Sequence, residues 1–196
     1  HAAEPQVLET PRGISLWLVE RHAAPVLSVR FAIPGGAATD PAGQEGLATS
    51  TSTLLTEGAG DLDSTAFASR LTDAGIRLSL AALRDRITGS LDVVTARRRD
   101  AAELLRLALT RPRIEPQAVA RITASQRADV ELSERDARQS TLTAWYRHTF
   151  AGQSYGRPLQ GSAQSLQRIT RGDVVDHLPR IIHRSGLKVV IAGAGG

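Results

Sequence analysis

The chain has 196 residues, of which 41% are hydrophobic and 22% charged, and its formal net charge is +4. This length and composition fit one globular domain or two small ones, and no apolar run is long enough to cross a bilayer. The absence of cysteine excludes a disulfide framework and thiolate chemistry. Because the sequence begins with His1 and contains no methionine, we expect a processed or excised product from which any signal peptide has been removed.

Arginine supplies nearly all of the positive charge, since Lys188 is the only lysine. The densest basic cluster, Arg97–Arg99, is flanked by acidic residues, and aromatic residues make up only 4% of the chain. Surfaces that bind nucleic acid usually carry interleaved aromatic residues and fewer acids. We therefore interpret the cluster as a solvated surface and predict no nucleic-acid partner.

The beginning of the chain predicts two strands. Residues 1–11 hold two prolines and little periodicity, which predicts an extended lead-in to a single domain over residues 12–196. Apolar residues alternate with other residues over 14–19 and again over 26–33. Alternation of this kind is typical of strands with one face in the core. Because a turn over 20–25 joins the two runs, we predict an antiparallel hairpin.

A hydroxyl-rich helix is predicted after a loop over residues 37–45. Glycines follow this helix, and its apolar residues recur at spacings close to one helix face. These apolar residues are Leu47, Ala48, Leu54 and Leu55. Between them lies an uninterrupted run of serine and threonine over residues 49–53. Such residues are poor in helix interiors because their side chains compete for backbone hydrogen bonds. Helix propensity therefore does not account for this run.

The rest of the chain predicts further helices and strands. A short helix is capped by Asp63 and ended by Gly75, and a second hairpin follows over 76–93. Next come a helix from Thr95 to Arg111 and a long polar helix from Pro116 to about Ala137. The last elements are a helix around Trp145, a loop from Gly152 to Gly161, a helix from Thr170 to Leu178 and a strand over 187–192. Paired strands with helices between them predict an α+β fold, with a mainly antiparallel sheet and helices packed on one face.

Several segments match a known family in order and spacing: residues 46–48 (Gly-Leu-Ala), 71–75, 155–156, 166–174 and 189–193. Together they resemble one half of the pitrilysin/insulinase-type zinc peptidases, the inverzincins, whose metal motif H-x-x-E-H follows Gly-Leu-Ala on a helix. The likeness runs from about residue 12 to the end of the chain. It implies an insulinase-like or mitochondrial-processing-peptidase-like half-domain, namely the N-terminal half-domain of a family member.

The motif positions depart from the family. Where the family has two histidines and a glutamate, this chain has Thr49, Ser52 and Thr53. Two histidines one helical turn apart bind one Zn²⁺, and the glutamate activates a water molecule. Neutral hydroxyl groups are poor zinc ligands and cannot act as the general base, so we predict no catalytic residue, no metal site and no cofactor. The family's remaining ligand, a glutamate on a later helix, would fall near Asp129 to Glu131, in a register that the sequence leaves open.

Other catalytic arrangements are not favoured. The five histidines contain no pair at positions i and i+4, and we predict that they are surface or core residues: His1, His22, His148, His177 and His183. A serine nucleophile needs a neighbouring base and an oxyanion site, and no histidine lies near the hydroxyl run in the sequence. We therefore interpret the hydroxyl residues as small polar groups that fill the space of bulkier ligands.

The resemblance also implies a partner. Family members consist of two homologous halves that close around a peptide, and only one half or one subunit carries zinc. The predicted function is that of a metal-free subunit that pairs with an H-x-x-E-H-bearing peptidase subunit, as a homo- or hetero-oligomer, and helps enclose the peptide. The resemblance favours a periplasmic or secreted bacterial protein. Three alternatives stay open: a peptidase with atypical or partner-supplied metal ligands, a structural role like that of the respiratory-chain core proteins, and a free-standing peptide-binding module.

Overall fold

The computed structural model describes residues 4–11, 13–21 and 24–193. These residues contain one six-stranded sheet, made of β1 (Gln6–Glu9), β2 (Ser15–Glu20), β3 (Val26–Pro34), β4 (Arg77–Ala82), β5 (Arg86–Val94) and β6 (Lys188–Gly193). The helices are α1 (Leu47–Leu54), α2 (Ser64–Asp73), α3 (Arg98–Thr110), α4 (Pro116–Ser133), α5 (Ala137–Thr149), α6 (Ala163–Leu166) and α7 (Arg171–Ile181). No helix among the described residues is both long and apolar enough to span a membrane.

The strand order across the sheet is β1-β2-β6-β3-β5-β4. The prediction of a hairpin between the first two long strands is wrong, because β6 lies between β2 and β3 and pairs in parallel with β2 and antiparallel with β3. The connection between β2 and β3 is longer than the two-residue turns of tight hairpins, so it can cross the width of an intervening strand. The second predicted hairpin, β4–β5, is confirmed. Part of the predicted lead-in forms the edge strand β1.

The sheet has one apolar and one polar face. Phe31 and Ile33 of β3 and Ile87 and Leu91 of β5 are buried on the same face. Opposite Phe31 the sheet has Gly89, where a Cβ atom would overlap the phenyl ring. The other face carries polar groups such as Ser28, Arg30 and Asp92, which bond to each other. The helices pack on the apolar face, as predicted for this α+β fold.

Helix α1 lies at the centre of the core. Ala48 and Leu55 pack toward the sheet and α7, whereas Leu47 and Leu54 pack against α4 and the residues around α6 and α7. All four are at most 1% exposed, and burying each leucine stabilises the fold by about 2 kcal/mol. An isolated helix of this length is not stable in water. Tertiary packing, rather than helix propensity, therefore holds the hydroxyl run in a helix.

Two predicted helix ends differ from the structure. The long helix α4 ends at Ser133, before the predicted end near Ala137, because the Asp136 carboxylate accepts hydrogen bonds from the amides of Arg138 and Gln139 and so begins α5. Helix α7 continues through Pro179 to Ile181, past its predicted end at Leu178.

Candidate functional site

The hydroxyl-rich helix α1 presents one partly exposed stripe. Thr49 and Thr53 lie on it, one helical turn apart, whereas Ser52 is only 1% exposed. The helix begins at Gly46, whose φ of 93° is left-handed and whose position is so crowded that a Cβ atom would lie 2.6 Å from the Gln160 carbonyl oxygen. Glycine is therefore required where the Gly-Leu-Ala segment enters the helix.

The hydroxyl groups at the three motif positions donate to backbone carbonyl oxygens. Ser52 Oγ and Thr53 Oγ1 donate to the carbonyl oxygen of Thr49 at 2.9 and 3.1 Å. Thr49 Oγ1 donates to the carbonyl oxygen of Leu159 at 3.1 Å. Because each proton is directed at a carbonyl oxygen, which cannot remove it, none of the three hydroxyls is activated as a nucleophile.

Glu57, in the turn that follows α1, has a structural role. Its carboxylate accepts a hydrogen bond from Ser64 Oγ at 2.9 Å and pairs with Arg121 of α4. This carboxylate therefore links the end of α1 to the start of α2 and to α4. It holds these elements together rather than facing a free cavity.

Gln126 is the polar side chain of α4 that reaches α1. Its Nε2 donates to the carbonyl oxygens of Gly46 and Gln160 at 3.2 and 2.8 Å, and its Oε1 accepts from Ser50 Oγ at 2.8 Å. The side chain is buried, so these three bonds satisfy groups that water cannot reach. The sequence analysis missed this residue, although its spacing from the apolar Ile122 and Val130 indicates the buried side of α4.

The two acidic residues proposed near the distal ligand position lie elsewhere on α4. Asp129 is exposed and lines a groove beside α5. Glu131 is exposed too, and its Oε1 lies 3.8 Å from Nε of Arg127. Among the described residues, neither carboxylate has a hydrogen bond to α1. The register of α4 therefore brings an amide, not a carboxylate, to the hydroxyl helix.

A buried acid fixes the start of α1. Asp40, 3% exposed, accepts hydrogen bonds from the amides of Gly46 and Ala48, both at 2.9 Å. Burial raises the pKa of Asp40 from 3.8 to about 7, although these amide hydrogen bonds act in the opposite direction. The neighbouring Glu45 raises this pKa further. Asp40 is thus a buried group that binds a proton near neutral pH.

His177 of α7 faces this acid. Its Nε2 lies 3.7 Å from Oδ1 of Asp40 and 3.1 Å from Oγ1 of Thr39. Since Thr39 Oγ1 already donates to the carbonyl oxygen of Gly36, the geometry favours a proton on Nε2. Burial lowers the pKa of His177, and Arg180 adds to this effect. The histidine is therefore a neutral core residue.

His148 and His183 are the other described histidines, and they lie in different parts of the fold. His148 lies exposed on α5, and His183 is half-buried after α7. His1 and His22 lie outside the described residues. Within the part of the chain that the structure describes, no three side chains of histidine, cysteine, aspartate or glutamate are grouped so that they could hold a metal ion.

Comparisons with known proteins identify the fold. No protein-family model matches the sequence, and no match was found among curated proteins. Among solved structures, a peptidase M16 inactive domain from Pseudomonas fluorescens superimposes on 98% of this chain with a TM-score of 0.92 and 20% identity. A protease from Helicobacter pylori matches 99% of this chain with a TM-score of 0.88 and 12% identity. The chain has the fold of one half of an M16 peptidase.

This M16-like half-domain covers 47% of each of those two chains. It also matches 43% of a chain of complex III2 from Candida albicans, over 97% of its own length, with a TM-score of 0.74 and 16% identity. The prediction of an insulinase-type half-domain fold is confirmed. In all three comparisons the chain spans less than half of the matched structure.

Proposed function

We propose that this half-domain belongs to a catalytically inactive zinc-peptidase homologue, which pairs with an H-x-x-E-H-bearing peptidase subunit and helps enclose the peptide substrate. The observation that carries the proposal is the identity and the hydrogen bonding of the residues at the three motif positions. Thr49, Ser52 and Thr53 lie on the helix that follows Gly-Leu-Ala, and their hydroxyl protons are all directed at carbonyl oxygens.

The surroundings of α1 support a structural use of this helix. The α4 side chain that hydrogen-bonds to it is Gln126, whose amide nitrogen donates to two carbonyl oxygens. A carboxylate at that position would face the same two oxygens without a proton to donate, at a large electrostatic cost. The inactive-domain neighbour from Pseudomonas fluorescens has the same architecture. We further propose a periplasmic or secreted location for this subunit.

A structural role is the second candidate. It is favoured by the likeness to a chain of complex III2 from Candida albicans. On this alternative the half-domain would remain bound within a membrane-associated complex and would not change the rate of any peptidase. The two candidates therefore differ in a measurable activity.

The first experiment measures zinc in the purified chain by elemental analysis, after dialysis against a trace of Zn²⁺. Zinc well below one ion per chain supports the inactive-homologue proposal. Stoichiometric zinc that is lost on replacing Asp129 or Glu131 by alanine would contradict it and favour a peptidase with atypical ligands.

The pairing test needs a peptidase that carries H-x-x-E-H, and the first candidate to examine is the product of the neighbouring gene. The proposal expects this chain to co-purify with that peptidase and to increase its hydrolysis of a peptide. A complex without any change in hydrolysis would favour the structural alternative. Peptide affinity of the isolated chain, with no complex, would favour a free-standing binding module.

A further inference from the structure

A groove of about 610 Å³ opens between α4, α5 and the segment over residues 156–162. The end of α4 forms one wall, and one side of α5 forms another, with residues 139, 142, 143, 146 and 147. Sites for small ligands usually have volumes of about 300–1,000 Å³. We call this cleft the α4–α5 groove, and its volume is that of a small-ligand site.

Side chains of both charges line the groove, and they are not paired with each other. Asp129 and Glu134 lie at the end of α4, and Arg147 lies on the last turn of α5. Within the described part of the chain, none of these three side chains forms an ion pair or a hydrogen bond. Their charges are therefore available to a ligand that enters the groove.

The two charges lie toward opposite ends of the groove. Helix α4 ends close to the start of α5, so Glu134 marks the end beside the connection between the two helices. Arg147 lies about 12 Å farther along the α5 axis than Gln139, the first residue of that helix in the groove. Arg84 lies near Arg147, because its guanidinium group is 3.6 Å from the centroid of the adjacent Tyr146 ring. One end is thus acidic and the other basic.

The basic end is held in a defined position. Arg84 Nη1 donates to the carbonyl oxygens of Tyr155 and Arg157, at 2.8 and 2.9 Å. The other two nitrogen atoms of this guanidinium group donate to no acceptor in the described chain. A guanidinium group can bind a carboxylate through two parallel hydrogen bonds, and Arg147 adds a second positive charge. This end of the groove therefore suits a carboxylate group.

We propose that the α4–α5 groove binds a short peptide with both termini free. The ligand's amino group lies at the Glu134 end, and its carboxylate lies at the end that carries Arg84 and Arg147. An extended chain advances about 3.3–3.6 Å per residue, so about three residues are needed to join the two ends. Val130 and Leu159 also line the groove and give apolar surface to the side chains of the ligand.

The charge pattern selects a ligand with two free termini. A peptide with blocked ends, or an internal segment of a longer chain, would leave the charged groups at both ends of the groove without a partner. The inference goes beyond the proposed function, because enclosing a substrate does not require recognition of free termini. It is tested on the isolated chain, so its failure would leave the pairing with a peptidase subunit unaffected.

A nuclear magnetic resonance titration of the isotope-labelled chain with trialanine is the first test. A few exposed charge contacts hold this ligand, so we expect a Kd of about 0.1–1 mM. N-acetyl-trialanine and trialanine amide each lose one terminal charge, and each should bind at least about fivefold more weakly. Alanine should bind no better than these blocked peptides, because it is too short to reach both ends. Absence of trialanine binding, or equal affinity for the free and the blocked peptides, would overturn the proposal.

Two variants test which end binds which terminus. Arg147→Gln should reduce the preference for trialanine over its amide to about twofold or less and keep the preference over the N-acetyl form. Glu134→Gln should have the converse effect. Arg99→Gln removes an exposed arginine of α3, outside the groove, and should change neither preference.

Circular dichroism spectra equal to that of the parent chain would show that the variants are folded. Two folded variants that both keep the parental preferences would overturn the proposal, and so would the opposite assignment of the two ends. If a variant does not fold, the comparison of free and blocked peptides on the parent chain decides the question.

Discussion

Thr49 and Thr53 stand four residues apart on the partly exposed stripe of α1, at the spacing from which two side chains can bind the same metal ion. Their own hydroxyl groups are weak ligands. Because both side chains are only half-buried, we expect each position to accept a larger residue. The helix is therefore a scaffold from which the metal-binding groups are missing but on which they could be rebuilt.

We predict that the double variant Thr49→His/Thr53→His gains zinc affinity. Two imidazoles on one side of a helix bind Zn²⁺ far better than either does alone, so the variant should retain about one Zn²⁺ per chain under conditions in which the parent chain retains less. Isothermal titration with ZnCl₂ measures this gain, and Thr49→His alone is the control. Equal affinity of the single and double variants would show that the two positions do not face the same point.

Asp40 should make the stability of the fold depend on pH. Its folded-state pKa, about 7, lies above its unfolded value of 3.8, so the folded chain binds this proton more tightly. The free energy of unfolding should therefore fall as the pH rises from about 4 to about 7, with a limiting slope of about 1.4 kcal/mol per pH unit from this group. The lowered pKa of His177 acts in the opposite sense below pH 6.5.

Urea denaturation of the parent chain and of Asp40→Asn, at pH 5 and at pH 7.5, measures this effect. Asparagine keeps the shape of the side chain but does not titrate, so the stability difference between the two proteins should shift in favour of the variant at the higher pH. Thr39 and His177 are present in both proteins, which makes the comparison a test of the Asp40 carboxyl group. A difference that does not change with pH would contradict the prediction.

Among the elements, α5 depends most on a few contacts. The guanidinium group of Arg84 lies over the ring of Tyr146 in α5. Arg84 Nη1 also donates to the carbonyl oxygens of Tyr155 and Arg157, at 2.8 and 2.9 Å. One side chain from the β4–β5 turn thus joins the sheet, the end of α5 and the segment that follows. Since no residue of α5 is buried, core burial contributes little to holding this helix in place.

We predict that Arg84→Ala loosens α5 selectively. The loss of a cation–π contact and of two charge-assisted hydrogen bonds should speed the hydrogen exchange of α5 amides by about tenfold or more. The amides of α1 should keep their protection, because the core around that helix is unchanged. Hydrogen-exchange mass spectrometry compares the two segments, with Arg99→Ala as a matched control. Equal acceleration in α1 and α5 would instead indicate a global loss of stability.

At the scale of the whole molecule, local patterns predicted local structure. The alternation over residues 76–93 identified β4 and β5, and the caps Asp63 and Thr170 marked the starts of α2 and α7. These signals depend on neighbours in sequence. The place of β6 between β2 and β3 was not predictable in this way, because it results from pairing between residues about 170 positions apart.

In the candidate site, too, the features that depend on neighbours in sequence were predictable, and those that depend on distant contacts were not. The motif resemblance located Thr49, Ser52 and Thr53 on one helix, since their spacing is local. The residue of α4 that meets this helix depends on the rotation of α4 about its own axis, which distant packing sets. The structure brings Gln126 to α1, whereas the sequence suggested a segment beginning three residues later. The buried Asp40–His177 contact joins residues from opposite ends of the chain, and no sequence pattern indicated it.

The position of β6 leads to a prediction about the two ends of the molecule. Of the described elements, removal of residues 1–9 deletes the edge strand β1, whose residues are all exposed. The shortened chain should therefore unfold cooperatively, with a loss of about 1–3 kcal/mol. Removal of residues 187–196 deletes β6, which is the hydrogen-bonded neighbour of both β2 and β3, and takes Leu187 and Val189 from the core. The sheet would then be divided into β1–β2 and β3–β5–β4, with unpaired backbone groups along both new edges. We expect this chain to lose cooperative thermal unfolding, measured by circular dichroism, and a cooperative transition near the temperature of the full chain would contradict the central role of β6.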